Sequence, residues 1–299
     1  MSQIPISADA KALVNANKAK KRKQFFHALF SRKIVLISAI ILMIIVLVAV
    51  LAYQIMPFDP NKPAVRDRNQ GPSVTHLLGT DEYGRDVLSR IIIGSRVSLI
   101  VGVLAVMIAC VIGTTFGMVA GYFGGVVDDV ISRVSEAIRV IPQVVLAIAL
   151  CAVFGGGIVN MSLILGISNM TVYIRMMRSQ VMSIKERDYI MAGRLQGNSN
   201  FRLMLRHILP NSISPIIVTM TQQIGGTILS EAGLSFLGLG ISTPTASWGT
   251  LVSGGRAYLL TNPVYSLAPG VCIALLVICL NTLGDGVRDA LDPRLRGEL

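Results

Sequence analysis

Few residues of this 299-residue chain combine type and spacing in a way that could do chemistry. Glu231 is a lone ionisable group in an apolar run, where an acid ordinarily faces a bundle interior or a water-filled cavity. It either pairs structurally with an arginine or backbone group, or it lines or gates a translocation path. His27, His76 and His207 fall in separate segments with no acidic or cysteine ligands at metal spacing, so no metal site is expected. Cys110, Cys151, Cys272 and Cys279 sit inside apolar runs without a CxxC pair and read as small buried hydrophobes. No nucleophile, base and orienting group recur at a plausible common depth, so no catalytic residue is expected. The phosphate-cradling pattern GxxxxGK followed by Ser or Thr does not occur, so any ATP would be used elsewhere.

Recognition is the chemistry that remains, and it concentrates in the polar stretch Arg187–Pro210. Phe201, Met204, Leu205 and Ile208 follow the i, i+3, i+4, i+7 rule, with Arg202 and Arg206 four apart on another face, which predicts an amphipathic helix. Gly197, Asn198, Ser199 and Asn200 are turn and cap formers just before it, and Pro210 allows a change of direction at its end. On the preceding helix Ala192, Gly193 and Gly197 carry almost no side chain, so another surface could approach closely. The stretch therefore reads as a docking knob or, alternatively, as a basic amphipathic helix lying on anionic lipid.

The elements that must position this stretch are membrane spans. Hydrophobic residues make up 53% of the chain and charged residues only 14%, which indicates a polytopic all-α membrane protein. The net charge of +11 is clustered in flanks and not spread along one face, so topology explains it better than nucleic acid does. Ile34 to Tyr53 predicts an uncleaved first span after a basic cytoplasmic tail over 1–33. A first-span and extracytoplasmic unit covers 34–95, a core 96–285, and a cytoplasmic tail 286–299. Arg85, Arg90 and Arg96 in the outer segment strain the positive-inside rule, and a helix seating them among headgroups would accommodate them.

Val97 to Ala120 predicts the second span, with Gly113 and Gly117 on one packing face, and 121–129 a short inner turn. The uncharged run between Arg139 and Arg175 predicts two helices joined at Gly155, Gly156 and Gly157, with a kink at Pro142. Ile213 to Gly238 and Tyr265 to Leu283 complete six spans. Seven basic against two acidic residues from Arg175 to Arg206 place the polar stretch in the cytoplasm, with both termini. Asp285, Arg288 and Asp289 are spaced for intrahelical ion pairs or for contact with a partner, and Trp248 for interface anchoring or contact with a binding protein.

Ala192, Gly193, three residues, Gly197, nine residues, then His207, Ile208, Leu209 and Pro210 resemble the EAA loop of permease subunits in ATP-binding-cassette importers. In that family the pattern is Glu-Ala-Ala, three residues, Gly, nine residues, Ile, any residue, Leu, Pro. Met191 stands here in place of the acid, Gly193 of the second alanine and His207 of the isoleucine. GTDEYGRDVLSR at 79–90, AGYFGG at 120–125, LSFLGLG at 234–240 and GDGVRDALDPRLR at 284–296 also look like the C-type permeases of dipeptide, oligopeptide and nickel uptake systems.

The resemblance implies a type I importer transmembrane fold of six helices in the inner or plasma membrane. It also implies a B-type permease partner, two ATPases that use ATP and Mg, and an extracytoplasmic substrate-binding protein. Ala192, Gly193, Gly197, Arg202, Arg206, Leu209 and Pro210 would couple to an ATPase. The transported solute would be a peptide or a related small solute such as a nickel complex. The competing readings are a stand-alone secondary transporter or channel and a membrane-embedded enzyme. Sparse ionisable residues within the spans weigh against the former.

Overall fold

The structure, a computed structural model, describes residues 26–291, so most of the basic tail expected over 1–33 and the helix stop at Pro293 lie outside it. Among the described residues the regular structure is helical. The first long helix, α1 (Lys33–Val50), is followed by a single turn at Ala52–Ile55 and then by Pro57 and Pro60, which cannot continue it. The second, α2 (Val87–Phe123), is one 37-residue helix that begins ten residues before the expected span. Its start is set by Asp86, whose carboxylate caps the Ser89 N–H at 2.8 Å.

Gly124, at φ +67, ends α2, and the expected inner turn over 121–129 is instead the start of α3 (Gly125–Val140). Pro142 does more than kink the chain. It separates α3 from α4 (Gln143–Phe154) with a 91° bend. The glycine turn then leads into α5 (Ile158–Lys185), which runs ten residues past the expected end at Arg175. The polar stretch follows as α6 (Asp188–Leu195) and α7 (Asn200–Leu203), and α7 continues through a wider π turn at Met204–Ile208 into Leu209–Asn211. The remaining helices are α8 (Ile213–Phe236), α9 (Trp248–Gly255) and α10 (Pro263–Leu291).

Among the described residues four helices, α1, α2, α5 and α10, are long and apolar enough to cross a membrane, and the bent pair α3–α4 would make five. α8 has 24 residues, enough to span, but Thr219, Thr221, Gln222 and Gln223 make it more polar.

The seam between α2 and α5 holds the bundle together. Gly113, Gly117 and Gly121 face Tyr173, Met177 and Val181, and a Cβ on each glycine would stand 2.5, 2.9 and 2.8 Å from the Cβ opposite. Both sets advance by four residues, so the helices run parallel with their backbones in close approach. α8 packs antiparallel on α2, with Gly102 against Ile228, and α10 antiparallel on α8, with Gly284 against Gln222. α10 also meets α1, where Gly286 lies under Val35 and Arg32 pairs with Asp289 at 2.7 Å. The acids of α10 therefore reach across helices, Asp285 accepting from Gln222 at 3.3 Å, and not along their own.

The outer end is closed by the loop before α2. Asp81 accepts from the Arg85 side chain at 2.7 Å and pairs with Arg90 at 3.4 Å, all three being buried. Arg90 also donates to the Pro60 carbonyl at 2.8 Å. Arg85 and Arg90 thus sit inside the protein and not among headgroups, sharing the one buried carboxylate of Asp81, whereas Arg96 is half-buried. Asn262 bonds the carbonyls of Gln70 and Thr80, and Tyr265 bonds Glu82, so the loop is sewn to the start of α10. Trp248 is likewise buried and donates from Nε1 to the Ile91 carbonyl at 3.0 Å, which excludes the expected anchoring or surface contact.

Candidate functional site

The polar stretch forms a compact knob at the end of α2 and α5. α6 ends in a Schellman turn, in which Gly197 N–H bonds the Arg194 carbonyl at 3.0 Å and Asn198 N–H bonds the Gly193 carbonyl at 3.2 Å. Gly197 takes φ +77, so its glycine serves the turn, although its surface is also open. Ser199 then caps α7 by accepting from Arg202 N–H. Arg202 reaches back to Asn198 at 3.3 Å.

The residues expected to dock divide into two sets. Ala192, Gly197, Arg202, Arg206 and Pro210 are exposed. Gly193 is buried inside the knob, where a Cβ would meet Leu203 Cδ2 at 3.0 Å, and Leu209 is partly buried. Gly193 thus lets α6 and α7 touch each other and offers no face to a partner. The apolar face is also rotated from the expected one. Leu203, Met204 and Ile208 pack inward, whereas Phe201 and Leu205 are exposed, because the π turn adds residues to each turn and breaks the 3.6 period.

Below the knob Ile190, Leu203, Met204 and Ile208 join Met118, Tyr122, Met177, Val181 and Ile184 in one core. Tyr122 donates to Asn200 at 2.8 Å, Lys185 to the Gly121 carbonyl at 3.0 Å, and Arg194 lies over the Tyr122 ring. The Arg178 guanidinium grips Asp128 through two bonds of 2.5 and 2.6 Å, fixing the start of α3 to α5. This clamp was not anticipated from sequence, because its partners are 50 residues apart. The knob therefore moves with α2, α5 and α8 or not at all. Its apolar residues Met191, Leu195 and Phe201 are exposed, Leu195 being 90% exposed, and Met191 and Leu195 line a groove with Tyr122 and Phe123 at the end of α2 and Lys185 at the end of α5.

Glu231 is fully enclosed, and its partners are serines and not an arginine. Oε1 accepts from Ser235 at 2.8 Å and Ser247 at 3.0 Å, and Oε2 from Ser98 at 3.5 Å. Ser98 in turn accepts from the Trp248 N–H at 3.2 Å. The acid thus ties α8 to α2 and to the cap of α9, with none of its surface exposed. Among the described residues no group of three or more His, Cys, Asp or Glu is placed to hold a metal ion.

A second polar constellation was not singled out from sequence. Gln143, the first residue after the Pro142 break, donates to Asn169 at 3.1 Å, and Asn169 donates to Thr227 at 3.4 Å. It joins α4, α5 and α8 midway along α5 and α8. Pro142 marked the break in the sequence, but the partners across it had no sequence signal.

Long glycine-seamed helices, a broken span and a knob carried on the bundle's end define a polytopic transport subunit of type I importer fold. The chain belongs to the family of binding-protein-dependent transport system inner membrane components, whose model matches residues 113–297. A second model, the N-terminal TM domain of oligopeptide transport permease C, matches 22–72. Over 274 residues the chain is 40% identical to the dipeptide transport system permease protein DppC of Alkalihalophilus pseudofirmus, covering 92% of this chain and 90% of that protein. It is 36% identical over 275 residues to the glutathione transport system permease protein GsiD of Pectobacterium atrosepticum, covering 92% and 91%. The fold resembles a chain of the inward-facing MetNI methionine ABC transporter with TM-score 0.55 at 18% identity, over 69% of this chain and 97% of that one. The chain is thus a multi-pass inner membrane component.

Proposed function

We propose that this chain is the C-type permease of a peptide importer. It would pair with a B-type permease, dock two ATPase subunits and receive solute from an extracytoplasmic binding protein. The observation that carries the reading is the knob, a rigid unit set in the cores of α2, α5 and α8, whose outer residues Met191, Leu195 and Phe201 have no partner to bury them within the described residues. A rigid lever of this kind transmits a push from a cytoplasmic motor to the spans. The Arg178–Asp128 clamp extends that push to α3 and the bent span. ATP and Mg act in the ATPases. α8 supplies the sixth crossing, the knob and both termini lie in the cytoplasm, and the loop over 56–86 lies outside.

Peptides are the preferred solutes because the relatives at 36–40% identity are permeases of dipeptide and glutathione transport systems, and glutathione is itself a peptide. A proton-coupled secondary transporter is less well supported, since Glu231 is locked among three serines and has no relay. The test is ATP-dependent uptake of a labelled dipeptide into proteoliposomes that hold the assembled complex. Uptake that needs ATP, the binding protein and this chain supports the reading. Uptake by this chain alone without ATP would sink it.

A further inference from the structure

The break between α3 and α4 poses a physical problem that its surroundings answer. A 91° bend interrupts the helical hydrogen bonding between the last carbonyls of α3 and the first N–H groups of α4, although the Pro142 carbonyl accepts from Leu146 N–H at 3.0 Å. Pro142 is the N-cap of α4, and no side chain caps its first turn. Val140, Ile141, Pro142 and Gln143 are all exposed. The break is also deep. Gln143 bonds Asn169, the twelfth residue of α5, and through it Thr227 near the middle of α8. Irregular backbone at such depth is tolerated only inside protein or beside water, because lipid satisfies none of its polar groups and each costs several kcal/mol.

Two further observations favour water. Glu136 and Arg139, within about one helical turn of the break, are exposed and form no ion pair with each other. The groove beside the break is walled by Val144, Ala147 and the leucines of α5 and α8, with Gln143, Ser230 and Gly233 opening onto it. Gly226 and Gly233, on the same α8 face, have open space where a Cβ would stand. A largely apolar trough with two polar side chains, smoothed on one face by two glycines, suits a solute that must pass and not stay.

We propose that this groove is part of the wet passage for the peptide, and that Gln143 and Ser230 present acceptor oxygens to its N–H groups. The Gln143 Nε2 is spent on Asn169, which leaves Oε1 to accept. The Ser230 hydroxyl is spent on the Gly226 carbonyl at 2.9 Å, which leaves its lone pairs. Neutral acceptors reading backbone N–H are indifferent to side chain and weak enough to release, as conduction requires. The inference rests on the peptide-permease reading and replaces Glu231 with Gln143 as the group that meets solute.

Gln143→Cys and Ser230→Cys, each in the complete complex in proteoliposomes, would be exposed to a charged, membrane-impermeant methanethiosulfonate, with the native chain and its four cysteines as background. Ile100→Cys, in the apolar groove between α1 and α2, is the lipid-side control. Both groove cysteines are expected to react above background and to lose ATP-driven dipeptide uptake on modification, whereas Ile100→Cys reacts only with lipid-soluble N-ethylmaleimide. Gln143→Leu is expected to lower uptake while the complex still assembles, with Gln143→Asn retaining more. Groove cysteines that stay unmodified in a complex that transports would overturn the proposal and place the break in a dry contact with the partner permease. A native complex that takes up no dipeptide would overturn the reading beneath it, whatever the labelling.

Discussion

Gly193 lies tightly against Leu203 between α6 and α7, where an added Cβ would stand 3.0 Å from the leucine Cδ2. A position that in sequence looked like part of a docking face is a packing contact inside the docking element. Gly193→Leu should therefore overpack the knob, costing about 1–3 kcal/mol, and lower the thermal midpoint of the purified chain. An unchanged midpoint would show that α6 and α7 do not pack as described.

Gly197 fails for a different reason. Its φ of +77 is one that β-branched residues rarely adopt. Gly197→Val should undo the Schellman turn at a cost of about 1–2 kcal/mol, whereas Gly197→Asn, which tolerates the left-handed region, should keep ATPase association. Limited proteolysis at the α6–α7 turn distinguishes the two variants.

Removing the buried acid of the outer loop strands two cations. Asp81→Ala leaves Arg85 and Arg90 uncompensated and should cost about 3–5 kcal/mol, read as loss of folded protein in detergent. Asp81→Ala with Arg85→Leu should recover part of it, and no recovery would mean that the loop is held by the Asn262 bonds instead.

Glu231 accepts from three serines and donates nothing, so its removal should be structural. Glu231→Leu leaves Ser235, Ser247 and Ser98 hydroxyls buried without that acceptor, at about 1–3 kcal/mol. Glu231→Gln keeps an acceptor and should leave ATP-driven uptake close to native. A Glu231→Gln complex that is stable but transports nothing would return the acid to the solute path.

Much of the architecture was readable from composition and spacing. Apolar runs marked α1, α2, α5 and α10, and Gly113 with Gly117 announced the seam that α5 fills. Gly197 and Ser199 announced the turn within the knob. Pairings across distance were hidden, because Arg178 carries no mark that Asp128 will meet it, nor Gln143 that Asn169 will. Trp248 misled, since an indole near a span end is equally suited to an interface and to a core, and only the Ile91 carbonyl decided. The face of α7 misled because the π turn at Met204–Ile208 breaks the period on which the reading relied.

On the proposed function the outward surface of α6 carries the ATPase contact. Ala192 is exposed on that surface and makes no packing that a larger side chain would disturb within the described bundle. The direct measurement is ATP-driven dipeptide uptake by the complex carrying Ala192→Trp, with co-purification of the ATPases read alongside. Uptake is expected to be lost and the ATPases released while the permease melts as the native one does. Native uptake by an Ala192→Trp complex that retains its ATPases would contradict it.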